Sequence, residues 1–335
     1  MKNYELASTQ MNIWEMQKMY PDTPIGNVCG TLTVKETEFN DLMWKKTLNT
    51  FIRNNDALRM IVESNQNHLT QSIADFVEQD YEVVDFSSKS IEEIEDLYEQ
   101  WTNKPFGKNE SLVDFKILKF NDYESGFYVR ASHMVCDAFS MGLLAQQISK
   151  IYTNLIKNPE YTEDEKASYT LYLDREKKYL ESEKFVDDKN FWINEYLEEP
   201  LVTSLAPNAT NSVAAKRLSK TLNEDLTHRI KSFCSENNVF PAVFFESLIF
   251  AYMKRLTGED KITIGSPLLT RSGRAEREIM GMFINALPFN LDIDNEGTFD
   301  SLCSNVSAKK SQLFKHVNYF TQFIDAWFEK FMHIY

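Results

Sequence analysis

Two stretches of the chain, residues 112–120 and 126–134, alternate apolar and polar positions with a period of two, separated by the polar run Asn121-Asp122-Tyr123-Glu124-Ser125. That pattern predicts an antiparallel hairpin with one buried face. Other apolar runs predict strands over 28–34, 58–63, 80–86, 260–266 and 287–293. A period near 3.6 instead predicts helices over 6–19, 41–54, 90–101, 140–157, 168–182, 187–197, 223–237, 241–256 and 299–314. Leu42, Trp44, Leu48, Phe51 and Ile52 form the expected core stripe of helix 41–54, and Ser88 or Ser90 can cap helix 90–101. The acidic run Glu92-Glu93-Ile94-Glu95-Asp96 reads as a solvated helix face. Helix 241–256 is apolar almost all round, which predicts burial, with Phe244, Phe245, Phe250 and Tyr252 in the core. Tyr20-Pro21-Asp22-Thr23-Pro24 reads as a turn and residues 200–212 as a loop.

Strands and helices alternate in two halves, joined by a charge-rich crossover over 160–200, so the chain reads as α/β. At 335 residues it also exceeds the size at which a single core stops growing. A formal net charge of −14 argues against nucleic acid as a partner. No apolar run is long enough to span a membrane, and the opening Met-Lys-Asn-Tyr-Glu-Leu lacks a signal-peptide core. Cys29, Cys136, Cys234 and Cys303 are scattered, which reads as reduced thiols in a cytoplasmic protein. The five histidines, His68, His133, His228, His316 and His333, show no ligand spacing, so no metal is expected. Phosphate-binding glycine loops and short-period repeats are absent, which removes the nucleotide-hydrolase, dinucleotide-binding and solenoid readings.

The candidate chemistry sits where the second hairpin strand meets the helix at 140–157. Alternation puts Phe127, Val129, Ala131 and His133 on one strand face, so His133 is the ionisable group of an apolar surface. Asp137 follows four residues later, where it can bind backbone donors at a helix start or a cation. An imidazole titrates near neutrality, which suits it to exchange a proton or to hydrogen-bond an amine. A histidine at a strand end is also a common structural feature, and the spacing alone leaves both readings open. Cys136 is nearby, but nothing in the sequence would lower its pKa, so it reads as an inert core thiol.

Five stretches in order carry a resemblance. Leu6-Ala7-Ser8-Thr9-Gln10-Met11-Asn12-Ile13-Trp14, Arg53-Asn54-Asn55-Asp56-Ala57-Leu58-Arg59, Ser132 to Ala138 continued by Ser140, Leu144 and Gln147, Ile262 to Pro267 with Arg271, and Gly281-Met282-Phe283-Ile284-Asn285-Ala286-Leu287-Pro288 resemble successive motifs of the condensation domains of nonribosomal peptide synthetases. Those domains are a branch of the chloramphenicol-acetyltransferase-like acyltransferases. The resemblance implies an α/β fold, an α+β sandwich of two acetyltransferase-like subdomains. Each would be a mixed sheet flanked by helices, and the two would form a V around an active-site tunnel. Here they would be residues 1–178 and 179–335, the second incomplete, because Ala326 to Tyr335 does not match the next motif.

The resemblance further implies amide-bond formation between two thioesters carried on the phosphopantetheine arms of donor and acceptor carrier proteins, with no bound cofactor and an adenylation domain as neighbour. His133 would act at the amine, as base or by orienting it. Asp137 would pair with Arg271 and tie the halves together, and Met134, Ser140, Gly281 and Asn285 would line the tunnel. Arg274 and Arg277 are candidates for carrier docking. Two departures are visible. Ser132 stands where the family has a first histidine, and Ala138 where it has glycine, which is harmless unless that backbone needs a positive φ. An acyl-CoA-dependent acyltransferase of the same superfamily, or a non-catalytic carrier-binding module, are the other function classes.

Overall fold

The computed structural model describes residues 2–35, 38–65, 68–107, 110–164, 166–195, 203 and 217–320. It divides into two compact units, Met1–Glu181 with Arg271–Ile284, and Ser182–Thr270 with Asn285–Tyr335. The sequence pattern assigns all residues after 178 to the second half. Arg271–Ile284 instead belongs to the first unit, because its buried polar groups find their partners there.

The first unit holds β1 (Asn3–Glu5), α1 (Ser8–Met19), β2 (Asn27–Lys35), α2 (Asp41–Asn54), β3 (Met60–Asn65), β4 (His68–Ile73), β5 (Val83–Asp85), α3 (Ile91–Asn103), β6 (Val113–Asn121), β7 (Glu124–Ser132), α4 (Ala138–Lys157) and α5 (Thr170–Leu180). Its larger sheet has the order β2-β7-β6-β5, antiparallel except for the β5–β6 pair. The expected hairpin is present as β6 and β7, with Asn121 opposite Glu124, so its turn is two residues long. A smaller antiparallel sheet, β1-β4-β3, was not anticipated.

Trp44 of α2 is buried against the larger sheet, stacks on Tyr152 of α4 with centroids 4.1 Å apart, and donates its indole N–H to Ser125 Oγ at 2.7 Å. Leu48 and Phe51 follow on the same face and are fully buried. Leu42, expected in that stripe, is 72% exposed, since two residues along a helix turn it some 200° away from Trp44. Helix α3 begins in a capping box, with Ser90 accepting the Glu93 N–H and the Glu93 carboxylate accepting the Ser90 N–H. It covers an aromatic cluster of Phe86, Tyr98, Trp101 and Tyr128.

The second unit holds α6 (Glu183–Glu195), α7 (Glu224–Glu236), α8 (Pro241–Thr257) and β8 (Lys261–Leu269). The segment returning to the first unit carries the one-turn α9 (Gly273–Glu276). After it come β9 (Ile284–Asp292), hydrogen-bonded to β8, and α10 (Phe299–Phe314). Its core gathers Phe250, Ile262, Leu287, Phe289, Val306 and Leu313. Helix α8 departs from expectation. Phe250 is buried against Phe289, but Phe245, Leu248, Ile249, Tyr252 and Leu256 are 44% to 57% exposed and line one face. Its buried side is the stripe of Val243, Ser247, Phe250 and Met253. The loop expected at 200–212, and the unmatched end from Ala326 to Tyr335, fall outside the described residues apart from residue 203. Among the described residues, no helix is long and apolar enough to cross a membrane.

Candidate active site

β7 brings the chain to Ser132, opposite Asn27 of β2, and strand pairing stops there, two residues earlier than expected. A tight turn follows. The Ser132 carbonyl accepts the Val135 N–H at 3.0 Å, and the Ser132 hydroxyl accepts the Met134 N–H at 3.3 Å. His133 donates its own N–H to the Gly26 carbonyl at 2.7 Å. This turn, not strand alternation, therefore sets the direction of the imidazole. The ring is half-buried, and its Nδ1 is buried with no hydrogen-bond partner. A buried polar atom left without a partner costs about 1–3 kcal/mol.

Four residues on, Asp137 caps α4. Its Oδ1 accepts the Ser140 N–H at 2.7 Å, which satisfies one of the helix's free donors. Oδ1 also lies 3.3 Å from Arg271 Nη2, with both side chains wholly buried. The Oδ2 atom accepts the Phe283 N–H at 3.0 Å. Arg271 Nη2 also donates to Ser140 Oγ at 2.7 Å, Nη1 donates to the carbonyls of Glu276 and Ile279, Nε is buried without a partner, and Cζ lies 3.9 Å from the centre of the Phe283 ring. Burial pulls the guanidinium pKa down, and Asp137 opposes that shift. The pair thus cross-links helix start and return segment inside the first unit. It does not tie two halves together as the resemblance implies, because Arg271 folds with the first unit.

Ser140 closes the cluster. Its hydroxyl donates to the Gly281 carbonyl at 2.8 Å and accepts the Gly281 N–H at 3.1 Å. Gly281 has φ of 153°, and a Cβ there would sit 2.3 Å from the Tyr169 ring, so both the backbone and the packing need glycine. Ala138 is the first residue of α4. Among the described residues, the non-glycine ones with left-handed φ are Asp22 and Asn238, so alanine at 138 carries no such strain. Chemically, Asp137 and Arg271 neutralise one another, and both carboxylate oxygens and both terminal guanidinium nitrogens are hydrogen-bonded. His133 Nδ1 is a nearby buried nitrogen left without a hydrogen-bond partner.

The family model of the condensation domain matches residues 1–324. The chain belongs to the condensation-domain family. This condensation domain is 29% identical over 323 residues to surfactin synthase subunit 1 of Bacillus subtilis (strain 168), covering 94% of this chain and 9% of that protein. It is 25% identical over 331 residues to a dimodular nonribosomal peptide synthase of the same strain, covering 94% and 13%. It therefore spans about a tenth of the length of these curated relatives. Among solved structures, the first condensation domain of the calcium-dependent antibiotic synthetase, in complex with a substrate analogue, matches with a TM-score of 0.88 at 16% identity, over 97% of this chain and 77% of that one. A variant of the starter condensation domain of rhizomide synthetase matches with a TM-score of 0.83 at 22% identity, over 96% and 73%. The fold is the mixed α/β fold of condensation domains.

Within this condensation domain the other candidate residues are distributed unevenly. Met134, Ser140, Gly281 and Asn285, expected to line a tunnel, are all buried. Asn285 lies in the second unit, where its amide nitrogen donates to the carbonyls of Val317 and Tyr319, both at 2.9 Å. Arg274 and Arg277 are exposed, with Arg274 3.9 Å from Glu278. Cys136 is fully buried, and burial together with Asp137 pushes its thiol pKa well up, so it holds no thiolate. Sequence reasoning assigned no role to Gln10, Tyr169 or Phe283. Gln10 lies in a quoted motif, but its function depends on side-chain contacts across the fold. Tyr169 carried no signal at all, although its ring fills the space against Gly281 and its hydroxyl donates to the Met282 carbonyl at 3.1 Å.

Proposed function

We propose that this domain joins a donor acyl or aminoacyl thioester to the amine of an acceptor aminoacyl thioester, both borne on the phosphopantetheine arms of carrier proteins. Family membership supports that reaction class. The observation that carries the assignment to this chain is His133, whose Nδ1 is buried without a partner four residues ahead of the Asp137 that pairs with Arg271. In the reaction the amine nitrogen attacks the thioester carbonyl carbon, a C–N bond forms, and the C–S bond breaks with departure of the thiol. One amine proton is lost on the way, and His133 receives it or fixes the amine's orientation by accepting its hydrogen bond. A thioester is already activated, so no acyl-enzyme is needed. An adenylation domain of the same assembly line would load the acceptor carrier, and the exposed Arg274 and Arg277 offer phosphate-compatible donors for docking.

The test is a product assay by mass spectrometry with two loaded carrier proteins. Formation of the elongated thioester on the acceptor carrier supports the reading. Product from a soluble acyl-CoA and a free amine, with none on carriers, would replace it by the acyl-CoA reading, and no product in either assay would leave a binding module.

A further inference from the structure

We propose that Gln10 is a positioning residue for His133, acting through the backbone carbonyl of Met134. This rests on the reading of His133 as the group that meets the amine. Gln10 lies in the first turn of α1, is fully buried, and has the orientation of its amide decided by neighbours that have no choice of role. The Ala7 N–H can only donate, and it meets Gln10 Oε1 at 2.8 Å. The Met134 carbonyl can only accept, and it meets Gln10 Nε2 at 3.0 Å. Gln71 of β4 completes the arrangement with a reciprocal amide pair. Gln10 Nε2 donates to Gln71 Oε1 at 3.0 Å, and Gln71 Nε2 donates to Gln10 Oε1 at 2.9 Å and to the Glu5 carbonyl at 2.8 Å.

The consequence lies in which bonds fix the turn around His133. The N–H groups of His133, Met134 and Val135 are taken by Gly26 and Ser132, close by on β7 or at the start of its partner strand. Those bonds tie the turn to the larger sheet. The carbonyl after His133 faces the other way and is taken by a side chain from α1. A peptide plane gripped on both sides cannot rotate, and the Cα of His133 is bonded directly to that plane's predecessor. Thr9, adjacent in α1, grips the Met282 carbonyl at 3.0 Å, so the same helix turn also steadies the segment that reaches Asp137 through Phe283. A short apolar residue at 10 would fill part of the volume and release the Met134 carbonyl.

Three variants separate positioning from mere stability. Gln71→Leu breaks the amide pair but leaves the Gln10–Met134 bond. Gln10→Met breaks both. Gln10→Leu/Gln71→Leu removes both side-chain amides and, like Gln10→Met, opens the Ala7 N–H and the Met134 carbonyl, so the two variants share those backbone losses while only Gln10→Met also leaves the Gln71 amide without its pair. Each is measured for thermal unfolding, for kcat and KM in the two-carrier assay, and for the ring resonances of His133 by NMR. The expected outcome is a split between stability and kcat. Gln71→Leu loses stability but keeps kcat within about twofold, while Gln10→Met and the double variant both lose kcat by roughly tenfold to a hundredfold with KM little changed, although the double variant, with no side-chain amide left unpaired, unfolds no more easily than Gln10→Met. The His133 ring signals shift in Gln10→Met and in the double variant and stay in place in Gln71→Leu. Losses of kcat that track stability across the three variants, or His133 signals unmoved by Gln10→Met, would overturn the proposal. The ring signals report the turn whatever the chemistry of His133, and His133→Ala with full turnover would defeat the catalytic reading alone.

Discussion

The Asp137 carboxylate accepts the backbone N–H of Phe283 at 3.0 Å across 146 residues of sequence. The same side chain caps α4 and faces Arg271 at 3.3 Å. A single aspartate therefore joins a helix start, a buried cation and a distant backbone segment, each bond strengthened by the carboxylate's charge in a dry setting.

Removing one partner of that set should be costly. Arg271→Met leaves the Asp137 charge buried, and Asp137→Ala leaves the guanidinium buried and two N–H groups open. Either is expected to destabilise the first unit by about 3–5 kcal/mol. Urea unfolding followed by tryptophan fluorescence measures it, and a loss under 1 kcal/mol in both variants would show the pair to be dispensable.

His133→Ala should spare the fold, since the turn is pinned by backbone groups of His133, Met134 and Val135 and not by the ring. Peptide-bond formation should fall by roughly 10²-fold or more if the imidazole takes the proton, and by less if it only orients the amine. Single-turnover kinetics with loaded carriers read the difference.

Glu176 of α5 is buried, and its Oε1 accepts the Ser8 N–H at 2.7 Å at the start of α1. Burial raises its pKa above the ordinary glutamate value of 4.5, and the Ser8 bonds only partly offset this. The folded state therefore holds the proton to higher pH than the unfolded chain does. The stabilisation is full below about pH 4.5 and is lost as pH climbs through the raised value. Glu176→Gln keeps an acceptor for Ser8 without the titration. Its unfolding midpoint should rise relative to the parent as pH goes from 4 to 8, and a constant difference across that range would contradict the assignment.

If the partners are acidic carrier proteins, as proposed, a body of charge −14 would repel them at long range, and docking would rely on local basic or apolar patches. The variant Arg274→Glu/Arg277→Glu should weaken carrier binding in low-salt titrations and leave the unfolding midpoint within about a degree, as exposed side chains contribute little to stability. Unchanged affinity would place the docking surface elsewhere.

Gly281→Ala should clash with Tyr169, at the 2.3 Å approach its Cβ would make, and force a φ of 153° on an alanine. A loss of about 1–3 kcal/mol is expected, partly recovered by Tyr169→Leu. Additive losses in the double variant would mean that the two residues do not share the space.

Helix α2 was legible to the residue, because Trp44, Leu48, Phe51 and Ile52 repeat at helical spacing and Asn40 caps it. The small sheet was not. β1 is three residues long, and β4 turns Gln71 toward the interior, so a buried strand reads as a polar one. Helix α8 shows the reverse error, since apolar character on every side says how much a helix could bury and not which neighbours are there to cover it. At the site, His133 and Asp137 were visible as a motif. The allegiance of Arg271 to the first unit was not, because chain order does not reveal that a segment returns after an excursion of 89 residues, from Ser182 to Thr270.

That excursion has a consequence for how the protein is made. Residues 182–270 leave the ribosome before Arg271–Ile284 does, so the first unit must wait for its last piece. At about 5–20 residues per second, the Phe283 amide is synthesised roughly 7–30 s after Asp137. For that interval the nascent α4 cap has no arginine opposite it, and the aspartate is best left in water. The β2-β7-β6-β5 sheet, whose strands all precede Asp137 in the chain, can form early. The dry knot around Asp137 can only tie afterwards, which makes translation past residue 284 the moment at which the site acquires its shape.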